Sequence, residues 1–242
     1  MRPVLLLALL FALARTAPAE NHFFGSSRQL AQMVHEKFLQ EHPTSVPGHL
    51  AYAEFLSENG NLRAAVMHWR SAQRLAPENA AIANSLGGAY LRMGRAADSA
   101  EQFARAIGLA SENAAYHFNL ANVEFMLRHE LSAAWQVDEP DLLRRALAEF
   151  REASRLSPRD MEYARAYAES FYGMPDPDWS EAAEAWKHVL ALSPQGDFAY
   201  LQLARVSLHR GDATEARRCL DRIIDARHDG LKRKLQAQAD QL

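Results

Sequence analysis

Ten histidines, one cysteine and several close pairs of carboxylates are the side chains here that could bind a transition metal, attack a carbonyl or pass a proton. His35 and Glu36 begin like the helical zinc-protease signature, which needs a second histidine three residues after the glutamate. The next histidine is His42, six residues after it, so that spacing is missing. No GxSxG, P-loop or GxGxxG run occurs anywhere in the chain. Asp138-Glu139 and the Asp176/Asp178 pair sit among turn-forming residues, where carboxylates cap helices or solubilise loops. Cys219 falls in ATEARRCLDRII beside Leu220 and Ile223, with no Cys/His pattern around it. That context describes a quiet helix residue rather than a reactive thiol. The sequence therefore predicts no enzyme: no catalytic residue, no metal ligand set and no cofactor-binding residue.

The two ends and the bulk composition narrow the class. Arg2, the apolar run Val4 to Ala14 and the small residues Ala17-Pro18-Ala19 follow the three-part pattern of a secretory signal peptide, with cleavage after Ala19. The chain is thus expected to be exported, periplasmic or secreted. Loss of residues 1–19 removes Arg2 and Arg15 and moves the formal charge from −3 to −5. A mildly acidic chain lacks the clustered Lys and Arg that give affinity for nucleic acid. No later stretch has the length of apolar residues needed to span a membrane. With Cys219 alone, no internal disulfide forms, so packing must supply the stability.

What must position any binding residues is a repeated unit. Pro43, Pro77, Ser111, Pro158, Pro194 and His228 are separated by 34, 34, 47, 36 and 34 residues. Ala31, Ala65, Ser99, Ala146, Ala182 and Ala216 keep the same intervals, and so do His35, Trp69, Phe103, Phe150, Trp186 and Leu220. Three chemically different columns on one period mean repeated supersecondary units. Within residues 46–79, Leu50, Ala53 and Leu56 precede Gly60-Asn61, and Ala65, Trp69 and Ala72 follow it. That spacing of three and four is a pair of helices with one buried face each. The small column suits a close helix crossing, and the large column fills the space one turn later.

Leu86-Gly87 with Tyr90, Gly94, Phe103 and Ala106, then Leu120-Ala121 with Ala146, Phe150, Ala153 and Pro158, then Leu203-Ala204 with Gly211 and Ala216, carry a recognisable pattern. It resembles the tetratricopeptide repeat family. Ser99, Ser111, Glu124 and His228 depart from it without breaking the register. The resemblance implies an all-α fold, a right-handed α–α superhelix of about five helix-turn-helix repeats. These are expected at 46–79, 80–113, 114–160, 161–196 and 197–230. A degenerate capping unit is expected at 20–45, with its helix at 28–43, and a closing helix at 231–242.

In that family the first helix of each repeat lines the concave face. The resemblance therefore implies a groove bearing Glu54, Asn84, Phe118, Asn119, Asn122, Phe125, Arg165, Glu169, Tyr172, Phe198, Gln202 and Arg205. Amides with interleaved aromatics suit an extended peptide. The Lys, Asn and Arg set by which one variant of the family grips a C-terminal carboxylate is missing, since Leu50, Asn84 or Phe118 stands at its lysine position.

Two insertions break the period. Thirteen extra residues lie in RHELSAAWQVDEP (128–140) and two in GMPDPDWSE (173–181), each between the helices of its repeat. They bring Trp135 and Trp179 to what is expected to be one edge, either as binding anchors on loops or with the longer segment folded down as an extra helical turn and Trp135 covering the hydrophobic edge; exposure of Trp135 decides between them. Asp178 followed by Glu181 reads as a capping box. The functional expectation is a scaffold or adaptor that binds a protein or peptide partner in a cell envelope. The alternative is an assembly subunit acting through self-association or the edge loops. The sequence leaves the oligomeric state open.

Overall fold

The computed structural model describes residues 21–242; the expected signal peptide lies outside them. Among the described residues there are thirteen α-helices, two short 3-10 turns and no strand. The described residues form two packing units, divided between Ile82 and Ala83.

The first unit contains α1 (Asn21–Glu41), α2 (Val46–Glu58) and α3 (Leu62–Leu75). α1 begins at Asn21, seven residues before the helix read from the sequence. Ser45 caps α2 by accepting from the Gly48 N–H at 3.2 Å, and Pro47 stands in the first turn, where its missing N–H costs nothing. Gly60, at φ +80°, makes the reversal, and Asn61 then caps α3 by accepting from the Ala64 N–H. Ala53, Ala65 and Ala72 are fully buried beside Trp69, as the alternation of small and large columns requires.

The second unit continues α4 (Ala80–Arg92), whose first turn belongs to the first unit, with α5 (Ala96–Leu109), α6 (Ala114–Met126), α7 (Arg128–Trp135) and α8 (Glu139–Leu156). Then come α9 (Met161–Ser170), a 3-10 turn (Phe171–Gly173), α10 (Trp179–Leu192), α11 (Asp197–His209), α12 (Ala213–Asp221), a 3-10 turn (Ala226–His228) and α13 (Asp229–Ala239). α6 packs on α8, α9 on α10 and α11 on α12, and each pair meets its sequence neighbour. Gly94 and Gly211 reverse the chain at φ +71° and +72°. Ser99, an apparent fault in the alanine column, is fully buried because its hydroxyl donates to the Gly87 carbonyl at 2.8 Å. A buried hydroxyl is tolerated when its hydrogen bond is made.

Of the two forms expected for the long insertion, it takes the folded-down helical one: it is the helix α7, closed by Gln136 in the left-handed region (φ 55°) and seated by the fully buried Leu131. One sequence expectation is corrected in this unit. The capping box is half formed. Asp178 accepts from the N–H groups of Ser180 and Glu181, but the Glu181 carboxylate accepts from the Tyr167 hydroxyl at 2.5 Å and pairs with Arg151. At the C-terminal end α13 starts at Asp229, two residues early, and buries Leu235 and Ala239; Lys232 donates to the Ile223 carbonyl.

Candidate functional site

α4, α6, α9 and α11, the first helices of their pairs, carry most of the residues read from the sequence as ligand-facing. Asn119 donates through Nδ2 to Asn84 Oδ1 over 2.8 Å and ties α6 to α4. Both side chains are half-buried. An amide has two N–H donors and one carbonyl acceptor. The bond leaves the Asn84 amino group and the Asn119 carbonyl oxygen available. Asn122 is used differently: its Nδ2 donates to the Phe118 carbonyl one turn back on its own helix, at 2.9 Å.

The aromatics divide as well. Phe118, half-buried, lies 4.7 Å from the Tyr163 ring and edge-on to Phe150 at 5.9 Å. Phe125 meets Phe150 edge-on at 6.1 Å and covers Gly173, where a β-carbon would stand 2.5 Å from its Cζ. Phe125 thus holds the second insertion down rather than offering a face. Phe198 is 43% exposed and packs its edge on the buried Trp186. Glu54 belongs to the first unit and is exposed.

On α9, Arg165 and Glu169 pair with each other at 3.2 Å, an i,i+4 contact worth about 0.3–0.5 kcal/mol. Gln202 is buried, not displayed, and its Oε1 accepts from Arg205 at 3.0 Å. The Arg205 guanidinium lies 4.6 Å from the centre of the Tyr172 ring, and the Tyr172 hydroxyl donates to the Gln202 carbonyl at 3.3 Å. Burial pushes the Tyr172 phenol up to about 12, so it stays a donor.

Sequence models described as tetratricopeptide repeat match residues 56–114, 89–137 and 177–239, together more than half of the chain. The chain is a tetratricopeptide repeat protein. Solved structures agree on the fold. YrrB, described as a TPR protein with an unusual peptide-binding site, superposes with a TM-score of 0.64 at 20% identity, over 86% of this chain and 98% of its own. The MamA protein gives 0.59 at 16% identity, over 80% of this chain and 94% of its own. PilF of Pseudomonas aeruginosa gives 0.59 at 17%, over 96% and 95%. No curated protein sequence matches the chain.

The two insertions of this repeat protein do not build one shared edge cluster. Trp135 is half-buried and packs against the core cluster that includes Ala100, Phe103 and Leu131, so it covers the rim as well as facing solvent. Trp179 joins a different cluster, where it stacks on His209 at 4.1 Å and 6° and lies 5.8 Å from Tyr172. Sequence reasoning missed the most unusual polar group. Glu124 occupies the position where the preceding repeat has the aromatic Tyr90, and it is fully buried. Arg145 of α8 pairs with its Oε1, and among the described residues neither carboxylate oxygen has an aligned hydrogen-bond partner. Burial pushes this carboxyl up to about 7, with Arg145 opposing and Glu149 adding to the shift. The only warning in the sequence was that Glu124 departs from the repeat.

As for chemistry, the Cys219 thiol is buried and is pushed up to about 12, first by burial and then by Glu215, so it remains protonated. Tetratricopeptide repeats serve in general as non-catalytic protein-interaction modules, and the chain is read in that class.

Proposed function

We propose that this protein is an exported scaffold or adaptor of a cell envelope, and that its second unit holds an extended segment of a partner protein along α4, α6, α9 and α11. The Asn84–Asn119 pair carries the reading. It leaves one amino group and one carbonyl oxygen open on neighbouring helices. Those are the two complements that a peptide unit's C=O and N–H require. Phe118, next in the chain to Asn119, packs on Tyr163, and the two rings supply apolar surface for a side chain. Arg205 is fixed by Gln202 and Tyr172, so little side-chain freedom is lost when a ligand arrives. Helices ordered in advance keep the entropic cost of binding low. The export half of the proposal rests on residues 1–19 alone.

Selection of random peptides displayed on phage against the purified protein tests the groove. The expected result is a family of binders whose affinity falls in the Asn119→Ala variant while thermal stability is kept. Fractionation of cells producing the tagged full chain tests export: the shorter, processed form belongs outside the cytoplasm. Retention of the full-length chain inside the cell would remove that half.

A further inference from the structure

Three histidines gather around one tyrosine where α1, α2 and α3 meet. His35 of α1 is buried and stacks on Tyr52 of α2, with ring centres 5.2 Å apart and planes 9° apart, and its ring lies 5.2 Å from that of Phe55. His68 of α3 approaches the same tyrosine, with ring centres 4.5 Å apart. It also meets His49 of α2 head-on, Nδ1 to Nδ1 at 3.0 Å with ring centres 5.3 Å apart. The Tyr52 hydroxyl donates to Glu36 of α1 at 2.9 Å. Phe38 of α1 lies on Gly48 of α2, where a β-carbon would stand 2.6 Å from its Cε1. The hold of α1 on α2 therefore runs through this cluster.

The geometry limits how many protons the cluster can hold. His49 Nε2 stands 3.0 Å from the Pro43 carbonyl oxygen, which only accepts, so that nitrogen keeps its hydrogen. The facing Nδ1 atoms of His49 and His68 share one hydrogen along one line. One added proton leaves this bridge intact, since one ring still offers a lone pair. A second would place a hydrogen on each Nδ1, and two N–H groups cannot face each other across 3.0 Å. The closed pair thus takes up one proton fewer than two free imidazoles do. His35 resists another, because a charged ring packed on Tyr52 and Phe55 would be cut off from water. Burial lowers the His35 pKa; burial first, then His49 and His35, lower that of His68. Glu36 pulls His68 the other way and is outweighed. Its own carboxyl is held below the usual range by hydrogen bonds from Gln32 and Tyr52, so it stays ionised in mild acid. Burial pushes the Tyr52 phenol up to about 12, so it stays neutral.

From this geometry we propose that the histidine cluster is an acid-opened latch: in mild acid α1 comes off α2 and uncovers Tyr52 and Phe55. A free histidine takes its proton near pH 6.5. Both shifted histidines move downward from that value, so the advantage of the closed state is complete above about pH 6.5 and is lost as pH falls through the lowered values. Release of α1 gives His35 to water and uncovers the Tyr52–His68 contact, so the open state takes up the protons that the closed state refuses. Each such proton multiplies the open population by up to about tenfold per pH unit, and two by up to about a hundredfold. Opening stops at α1. The α2–α3 contact has other supports in the buried Ala53, Ala65 and Trp69, none of which titrates. The latch belongs to the first unit and does not depend on the groove of the second.

The test is amide hydrogen exchange of the full chain at pH 7.5 and pH 5.5, corrected for the chemical exchange rate and read segment by segment. Protection in α1 should fall at least tenfold at pH 5.5, while α11 and α12 keep theirs. His35→Phe keeps a flat ring on Tyr52 that cannot titrate, and should reduce the acid loss at least threefold. His35→Phe combined with His68→Gln should abolish it. Equal protection of α1 at both pH values overturns the proposal, and so does an acid loss in the double variant as large as in the parent. Proton magnetic resonance of the parent decides independently of how the variants fold. In the folded chain His35 and one ring of the His49–His68 pair should still be neutral at pH 6. All three rings charged at that pH with α1 still protected would mean that no latch exists.

Discussion

The Phe103 ring lies directly on Gly87: a β-carbon built there would stand 2.7 Å from both Cδ1 and Cε1 of that ring. This contact joins the small position of α4 to the large position of α5 and explains why the Leu-Gly pair and the aromatic column belong together. Phe103 is 3% exposed, so its ring has nowhere to go. Gly87→Ala would gain about 1 kcal/mol of helix propensity. Overpacking typically costs about 1–3 kcal/mol and should win. We expect a net loss on the order of 1 kcal/mol by chemical denaturation. Gly87→Ala combined with Phe103→Leu should be more stable than the sum of the two single changes, because the leucine clears the clash. Additive losses would mean that the two positions do not touch.

Trp186 occupies the same column two repeats later and has no exposed surface. It packs among Ala164, Ala168, Ala182, Ala199 and Leu220, and it supports the edge of Phe198. Trp186→Ala should cost about 3–5 kcal/mol, the range for truncating a buried large side chain. For a chain of this size that is a melting temperature lower by on the order of 10 °C. An unchanged melting curve would contradict the register of the whole repeat array.

Glu124 makes the stability of the second unit depend on pH in an unusual direction. Its folded pKa of about 7 lies above the ordinary value of 4.5. The folded state therefore binds the proton more tightly than the unfolded one. The stabilisation is complete below about pH 4.5 and is lost as pH rises through about 7. A shift of that size corresponds to roughly 3 kcal/mol between the two limits. Glu124→Gln stays neutral at every pH, so its stability should exceed that of the parent at pH 8 and approach it at pH 5. Urea denaturation of both proteins at the two pH values checks this. Equal differences at both pH values would show that the buried carboxylate does not titrate with folding.

These cases also show how much the sequence could reveal. The columns at Ala65, Phe103 and Trp186 were legible because every unit uses one helix crossing, and the crossing dictates side-chain volume. The helix α7 was legible only as one of two alternatives, a folded-down helical turn against an exposed loop. Its eight residues hold one buried side chain, Leu131, and no 34-residue partner column exists for an insertion. Glu124 could be flagged only as a departure, since its partner Arg145 lies on another helix. The groove was legible as a face but not residue by residue. Asn119 and Asn122 share α6 and look equivalent in sequence, yet one bonds across to Asn84 and the other to its own backbone. Which acceptor an amide finds is set by the approach of neighbouring helices, a distance that no single-chain pattern encodes.

That difference gives the sharpest test of the groove. Asn119→Ala removes an interhelical bond and the open carbonyl oxygen together, so a bound peptide loses its partner on α6 and the pre-set position of Asn84. A peptide ligand should weaken by about tenfold, the loss of roughly one to one and a half kcal/mol expected for a hydrogen bond. Asn122→Ala frees only a carbonyl on its own helix, which α6 already supplies with a backbone donor, so affinity should change by less than about twofold. Isothermal titration of both variants with one selected peptide separates them, provided each melts within a few degrees of the parent. If the Asn122 change weakens binding as much as the Asn119 change, the ligand runs along α6 rather than across it to α4, and the amide pair is a packing contact.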